Sequence, residues 1–214
     1  MTNPSQPPSA WRSTRRTLIL VLLAWLITAA IAGVSYVALG HVWVPIFVGV
    51  ALGIGFATGV ALLHRAAWLA LLSIAPGAFV LIGAVQFAPE AALEQRGVTE
   101  RVVLTVDEEA TSGNHNAFSM VTEDGRRLDQ DFVYQGSNPP YRSGDRLAVV
   151  VDPEGVVEPE DSRDVDPAEE RGHLVGGAVG WTLVALCAGW RGHVRRRKGR
   201  NSSPLAAVLD LASA

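Results

Sequence analysis

From Leu18 to Leu39 the chain runs for 22 residues without a charge, and three more apolar stretches follow: Val42 to Leu63, Ala66 to Ala88 and His173 to Trp190. These runs constrain the fold more than any other feature. A 22-residue helix rising 1.5 Å per residue reaches about 33 Å, enough for the hydrocarbon core of a bilayer. The first run holds twelve Leu, Ile or Val residues, and each favours insertion by roughly 0.3–0.6 kcal/mol at mid-membrane. Ala30-Ile31-Ala32 before Gly33 has the small-x-small form of a signal-peptide cleavage site. The run is long for a signal peptide and continues past that site, so a retained helix is expected.

Within the second run, Pro45 falls in the first turn, where its missing N–H does no harm. The third carries Pro76-Gly77, which predicts a mid-span kink and a carbonyl freed for a neighbouring helix or water. Only His64 and Arg65 separate the second and third runs, so they form an antiparallel helical hairpin. The fourth is the weakest, with six Leu or Val and four Gly in 18 residues. Its assignment rests on the cluster after it, Arg191, Arg195, Arg196, Arg197, Lys198 and Arg200, which resists translocation.

Charge is sorted along the chain. Residues 89–172 hold 20 of the 21 acids and 8 Arg, or 8 − 20 = −12, while the flanks hold the other 10 cations against Asp210, or +9. Cations beside a span stay cytoplasmic, and acids have little say in orientation. Arg12, Arg15, Arg16, Arg65 and the tail cluster then all fall inside, and both termini are cytoplasmic. Trp11, Trp43, Trp68 and Trp190 lie near the expected interfaces, whereas Trp25 and Trp181 lie deeper. A composition that is 49% hydrophobic agrees with a chain that meets lipid.

The expected architecture is therefore a membrane α+β protein. It has a disordered cytoplasmic N-terminus (1–17), three transmembrane helices (18–39, 42–63, 66–88), an acidic extracytoplasmic β domain and tether (89–172) inserted between helices 3 and 4, a fourth helix (173–190) and a basic cytoplasmic tail (191–214). Residues 204–214 read as a short apolar helix on the inner surface. No Asp, Glu, Lys or Arg lies within a run, which disfavours a channel or transporter, since proton relays and ion pathways use such groups. The Gly49/Gly53, Gly55/Gly59 and Gly176/Gly180 pairs have the spacing for close helix approach and are read as packing within the bundle.

Between the third and fourth runs the pattern changes to short alternating segments bounded by turn residues. Strands are expected at 98–106, 117–122, 126–135, 146–151 and 156–158, with a hairpin at Asp124-Gly125. Five strands in about 60 residues suit a small curled sheet or barrel. In Tyr141-x-x-Gly144-Asp145, Gly suits a left-handed turn position and Asp can bond nearby backbone. Leu147, Val149 and Val151 then share one face, and Tyr141 packs over the turn.

The stretch Tyr141-x-x-Gly144-Asp145-x-Leu147-x-Val149-x-x-Asp152-Pro153 resembles a bacterial membrane family, abundant in actinobacteria, known only as a domain of unknown function. Its members look like one or more spans plus a small β domain with a Gly-Asp-x-Val-x-Val-x-Tyr-Asp-Pro hairpin. Here Val151 stands where Tyr is usual and Leu147 where Val is usual. The resemblance covers about residues 97–157, implies fold and class, and carries no catalytic residue or cofactor.

Candidate chemistry is sparse. Asp107-Glu108-Glu109 with Asn114, His115 and Asn116 offers hard oxygens for a cation, yet lacks the rhythm of a calcium loop and the ligands for zinc, and reads as a solvated hairpin loop. Glu154 to Glu170 reads as a solvated tether. Ser119 or Ser143 with His115 has no nucleophile motif around it. No catalytic, cofactor-binding or metal residue is assigned, and an enzyme is not expected.

The function expected is a non-catalytic binding or scaffolding module of the envelope. The alternative is a sensor or enzyme accessory subunit coupling the outer domain to the tail; a transport component would need a partner supplying the polar pathway. Expected partners are the bilayer, anionic lipid headgroups at the basic tail and an unidentified envelope protein, but not nucleic acid. The expected location is a bacterial plasma membrane. The sequence does not define an oligomeric state.

Overall fold

The computed structural model of the chain describes residues 10–64, 67–106 and 115–197. Helices α1 (Ala10–Val37), α2 (Trp43–His64), α3 (Ala67–Leu72) and α4 (Ile74–Arg96) precede strands β1 (Val98–Val106), β2 (His115–Thr122), β3 (Arg127–Gln135), β4 (Arg146–Val151) and β5 (Glu160–Asp161), and α5 (Pro167–Arg197) closes the order. The chain divides into two compact units. One takes the described residues up to Ser35, Trp43–Val85 and those from Arg171 on; the other takes Tyr36–Val42 and Gln86–Glu170.

Among the described residues, four helical stretches are long and apolar enough to cross a membrane: Thr14–Val37, Trp43–Leu62, Ala67–Arg96 and Pro167–Val194. Each contains most or all of an expected run, and all but Trp43–Leu62 extend beyond one or both of its ends. α1 already starts at Ala10, so residues 10–17, expected to be disordered, are helical. The third run is two helices. Ser73 interrupts it, with Pro76 in the first turn of α4, so the break falls three residues before the expected kink. The sheet consequently lies between α4 and α5 rather than between a third and a fourth helix. α4 also continues through Pro89 to Arg96, where the sequence suggested the β domain had begun.

In the helical unit α1 turns Leu20, Ala24, Ile27 and Ile31 inward at helical spacing, meeting a core to which Phe56, Val60, Leu69, Val80, Ala84, Trp181, Ala185 and Ala188 also contribute. Small residues bring α4 and α5 together. A β-carbon on Gly177 would stand 2.7 Å from the Pro76 carbonyl oxygen and 2.8 Å from the Val80 nitrogen, and one on Gly180 would stand 2.7 Å from Pro76 Cβ. The expected packing role thus holds for Gly49, which meets Leu81, and for Gly180, but a β-carbon on Gly53, Gly55 or Gly176 would meet nothing within 4 Å. The outer surface is apolar as well. Leu22, Leu26, Phe47, Leu71 and Leu183 are between 58% and 70% exposed, whereas a helix bundle meeting water carries polar residues on that side.

The other unit is built on a five-stranded antiparallel sheet of order β3-β2-β1-β4-β5. Leu104 pairs with Met120 and Val102 with Leu147, and Phe118 lies opposite Phe132. The register puts Val102, Leu104, Phe118, Met120, Phe132 and Val149 into one core, with Leu147, Val151 and Tyr141 packed against it. On the other face Val150 meets Ala92 and Leu93 of α4, together with Val157. This is why α4 outlasts its apolar run: its last turns cover the sheet. β1 and β4 match the expected strands residue for residue. The fifth does not, since pairing falls at Glu160–Asp161 rather than 156–158, and Val157 is drawn into the second core instead.

Candidate functional site

The Tyr141–Pro153 segment is a turn leading into β4 rather than a hairpin, since β4 pairs with β1 and β5 and not with β3. Gly144 takes φ 94°, a left-handed conformation that a β-carbon disfavours. The turn is tied to β1, because Gly144 N–H donates to Leu104 O at 2.8 Å and Leu104 N–H donates to Asp145 O at 2.9 Å. The Asp145 carboxylate accepts from Arg142 N–H at 2.7 Å, as its place in the turn suggested. Tyr141 does more than cover the turn. Its ring meets Phe132 edge-on at 5.0 Å and lies 5.9 Å from Tyr134 and 6.4 Å from Phe118.

Asp152, the next acid in the motif, is 2% exposed. Its carboxylate accepts from the backbone N–H groups of Glu154, Val156 and Val157 at 3.0–3.1 Å and from Arg96 Nη2 at 2.9 Å. Arg96 also reaches Glu154 at 2.5 Å. Burial alone would push the Asp152 carboxyl up; the converging donors outweigh it and hold it below the usual carboxylate range. Asp161 is equally buried. Arg163 binds it through Nε, Nη2 and its own N–H at 2.5–3.0 Å, and this pairing holds its carboxyl down despite burial. Residues 154–170, expected to be a solvated tether, instead contain β5, the buried Asp161 with its exposed partner Arg163, and the start of α5. The sequence signal for the first anchor was Asp152-Pro153-x-Gly155, a turn with Pro at its second position and Gly at its fourth; Arg96 and Arg163 had none.

Burial, and then the nearby carboxylates of Glu160, Glu170 and Asp166, push the Glu90 carboxyl up to about 7. Burial, then Asp164 and Asp161, push the Glu160 carboxyl up. The Gln86 amide, with its nitrogen toward Glu170, donates to that carboxylate at 3.0 Å. None of this was visible in the sequence, because the four acids are spread over 80 residues.

The candidate cation loop falls mostly outside the described residues, which take in only the backbone of His115 and the whole of Asn116. Asn116 Nδ2 donates to Gly136 O at 2.6 Å. Ser119 Oγ faces Thr105 O at 3.5 Å, and Ser143 is exposed on the turn. No group of three or more His, Cys, Asp or Glu among the described residues could hold a metal. The arrangement suits display of a stiff acidic surface, with its buried acids spent on anchoring loops. The chain matches no protein-family model, no curated protein and no solved structure.

Proposed function

We propose that the chain is an integral protein of a bacterial plasma membrane, with four spans, both termini cytoplasmic and residues 89–172 outside, where the sheet serves as a non-catalytic binding or scaffolding module for an envelope protein. The observation that carries this reading is the apolar outer surface of the helical unit, which would be costly against water and is at home in lipid. The sorted cations support the orientation, and the basic tail would meet anionic headgroups. The likeness of the Tyr141–Pro153 segment to the actinobacterial family belongs to the same reading. It is supported by a turn in which Gly144 takes a positive φ and the Asp145 carboxylate accepts from Arg142 N–H.

Photocrosslinking amino acids at Glu123 and Arg142, both exposed at turns of the sheet, test it in the full-length protein in its own cells. A discrete envelope protein should be captured at one or both positions. No protein adduct at either, or turnover of an ester, peptide or phosphate substrate by the purified full-length chain, would overturn the reading.

A second reading, a sensor or accessory subunit, draws on the helix break at Ser73, where α5 is hydrogen-bonded to the interrupted run through Trp181. Replacing Pro76 by Ala would then change the protease sensitivity of the tail when the outer domain is engaged; an unchanged tail removes this reading.

A further inference from the structure

We infer that the furrow between α1, α3 and α5, at the end of the helical unit where α5 runs toward the basic tail, is a binding site for one anionic phospholipid. The inference rests on the membrane placement proposed above. The furrow has a volume of about 770 Å³ and is lined by Thr14 and Thr17 of α1, Trp68 of α3, and Leu186, Trp190 and Arg191 of α5. His193 completes its polar end. α1 and α5 touch at its floor, since a β-carbon on Gly189 would run into the Thr17 side chain. The absence of that β-carbon lets a groove form between two helices in contact.

The lining matches an amphiphile. Trp68 and Trp190 are 53% and 74% exposed and Leu186 is 50% exposed, so the groove offers an apolar track for an acyl chain. Two indoles at one end of a bundle sit at the depth where headgroup and chain meet. Arg191 and His193, with the Thr14 hydroxyl, supply donors where a phosphodiester would lie, and a guanidinium fork fits phosphate geometry. The surrounding charge has one sign. α1 and α3 contain no Asp or Glu, α5 has none after Glu170, and Arg15 and Arg16 lie beside Thr14 and Thr17. A second copy in the same orientation would bring its own cations against these, so the complementary occupant is an anionic lipid of the inner leaflet.

Bromine-quenched tryptophan fluorescence of the full-length protein in phosphatidylcholine vesicles with a minor fraction of phosphatidylglycerol tests the site. Bromine is placed either on the phosphatidylglycerol chains or on an equal fraction of phosphatidylcholine chains. Brominated phosphatidylglycerol should quench with about a fivefold excess, the enrichment one surface cation provides. Trp68→Phe with Trp190→Phe should remove that excess, as should Arg191→Gln with His193→Gln. A variant with Arg195, Arg196 and Arg197 changed to Gln should retain most of it. Equal quenching by the two lipids, or an excess that survives the Arg191/His193 change and disappears with the tail change, would overturn the site and leave only diffuse attraction. Loss of the excess on adding millimolar inorganic phosphate would also overturn it, in favour of a free-anion site. Quenching by neither lipid would remove the membrane placement itself, a distinguishable failure.

Discussion

The indole nitrogen of Trp181 donates to the carbonyl oxygen of Ser73 at 2.9 Å, at the point where the third apolar run breaks into two helices. The same oxygen accepts from Gly77 N–H at 3.1 Å. Trp181 also lies against Phe56, with ring centroids 4.8 Å apart, and is 1% exposed. Replacing it with Phe keeps most of the packing and loses the donor, a cost of about 1 kcal/mol. Replacing it with Ala empties the core at a cost of about 3–5 kcal/mol. Thermal unfolding in detergent should rank wild type above Trp181→Phe and both well above Trp181→Ala. If the two variants unfold together, the hydrogen bond and the packing have been weighed wrongly.

Gly177 and Gly53 make opposite predictions for the same substitution. A methyl at Gly177 meets backbone atoms of α4, which cannot retreat as a side chain would. Gly177→Ala should destabilise by about 1–3 kcal/mol. Gly53→Ala meets nothing within 4 Å and should stay within about 0.5 kcal/mol of wild type. Detergent melting curves for the pair check both.

Asp152 and Asp161 give the sheet unit a dependence on acid. Both carboxyls are held below their ordinary range when folded. The unfolded chain therefore binds protons first as pH falls, and the stabilisation is present above the unfolded value of about 3.9 and lost as pH drops through the lower folded values. Intrinsic fluorescence of the sheet tyrosines, read against pH, should show loss of structure only below about pH 4. Asp152→Ala should cost about 2–4 kcal/mol at neutral pH, because three N–H donors and Arg96 lose their acceptor. It should also flatten the acid slope. An unchanged slope would mean that other carboxylates dominate.

Tyr141 joins the motif turn to the buried aromatics. Tyr141→Phe, which keeps the ring contacts, should stay within about 0.5 kcal/mol of wild type, and Tyr141→Ala should cost about 3–5 kcal/mol. Equal stability of the Phe and Ala variants in urea unfolding would show that the ring contacts contribute little.

The helices and most of the sheet were legible because hydrophobic period reports local structure directly. Leu18 to Leu39 has no polar face, and Val98 to Val106 lies between a Gly and an acidic loop, so each segment identifies itself. What escaped depends on distant partners. Pro89 looks like a helix stop until Ala92 and Leu93 are seen to cover Val150. The acids after Asp152 look solvated until Arg96, 56 residues earlier, and Arg163 are in place. Glu160–Asp161 has no apolar alternation and becomes a strand only because β4 offers its edge. The furrow beside Trp190 likewise arises from three helices meeting, which no single run discloses.

The most direct measurement is single-cysteine labelling with a membrane-impermeant maleimide on spheroplasts, in a Cys187→Ser background that removes the chain's one native thiol. The account predicts that a cysteine introduced by Arg142→Cys labels on intact spheroplasts and that one introduced by Ser203→Cys labels only after permeabilisation. Labelling of the 203 position in intact spheroplasts with the 142 position protected would contradict it.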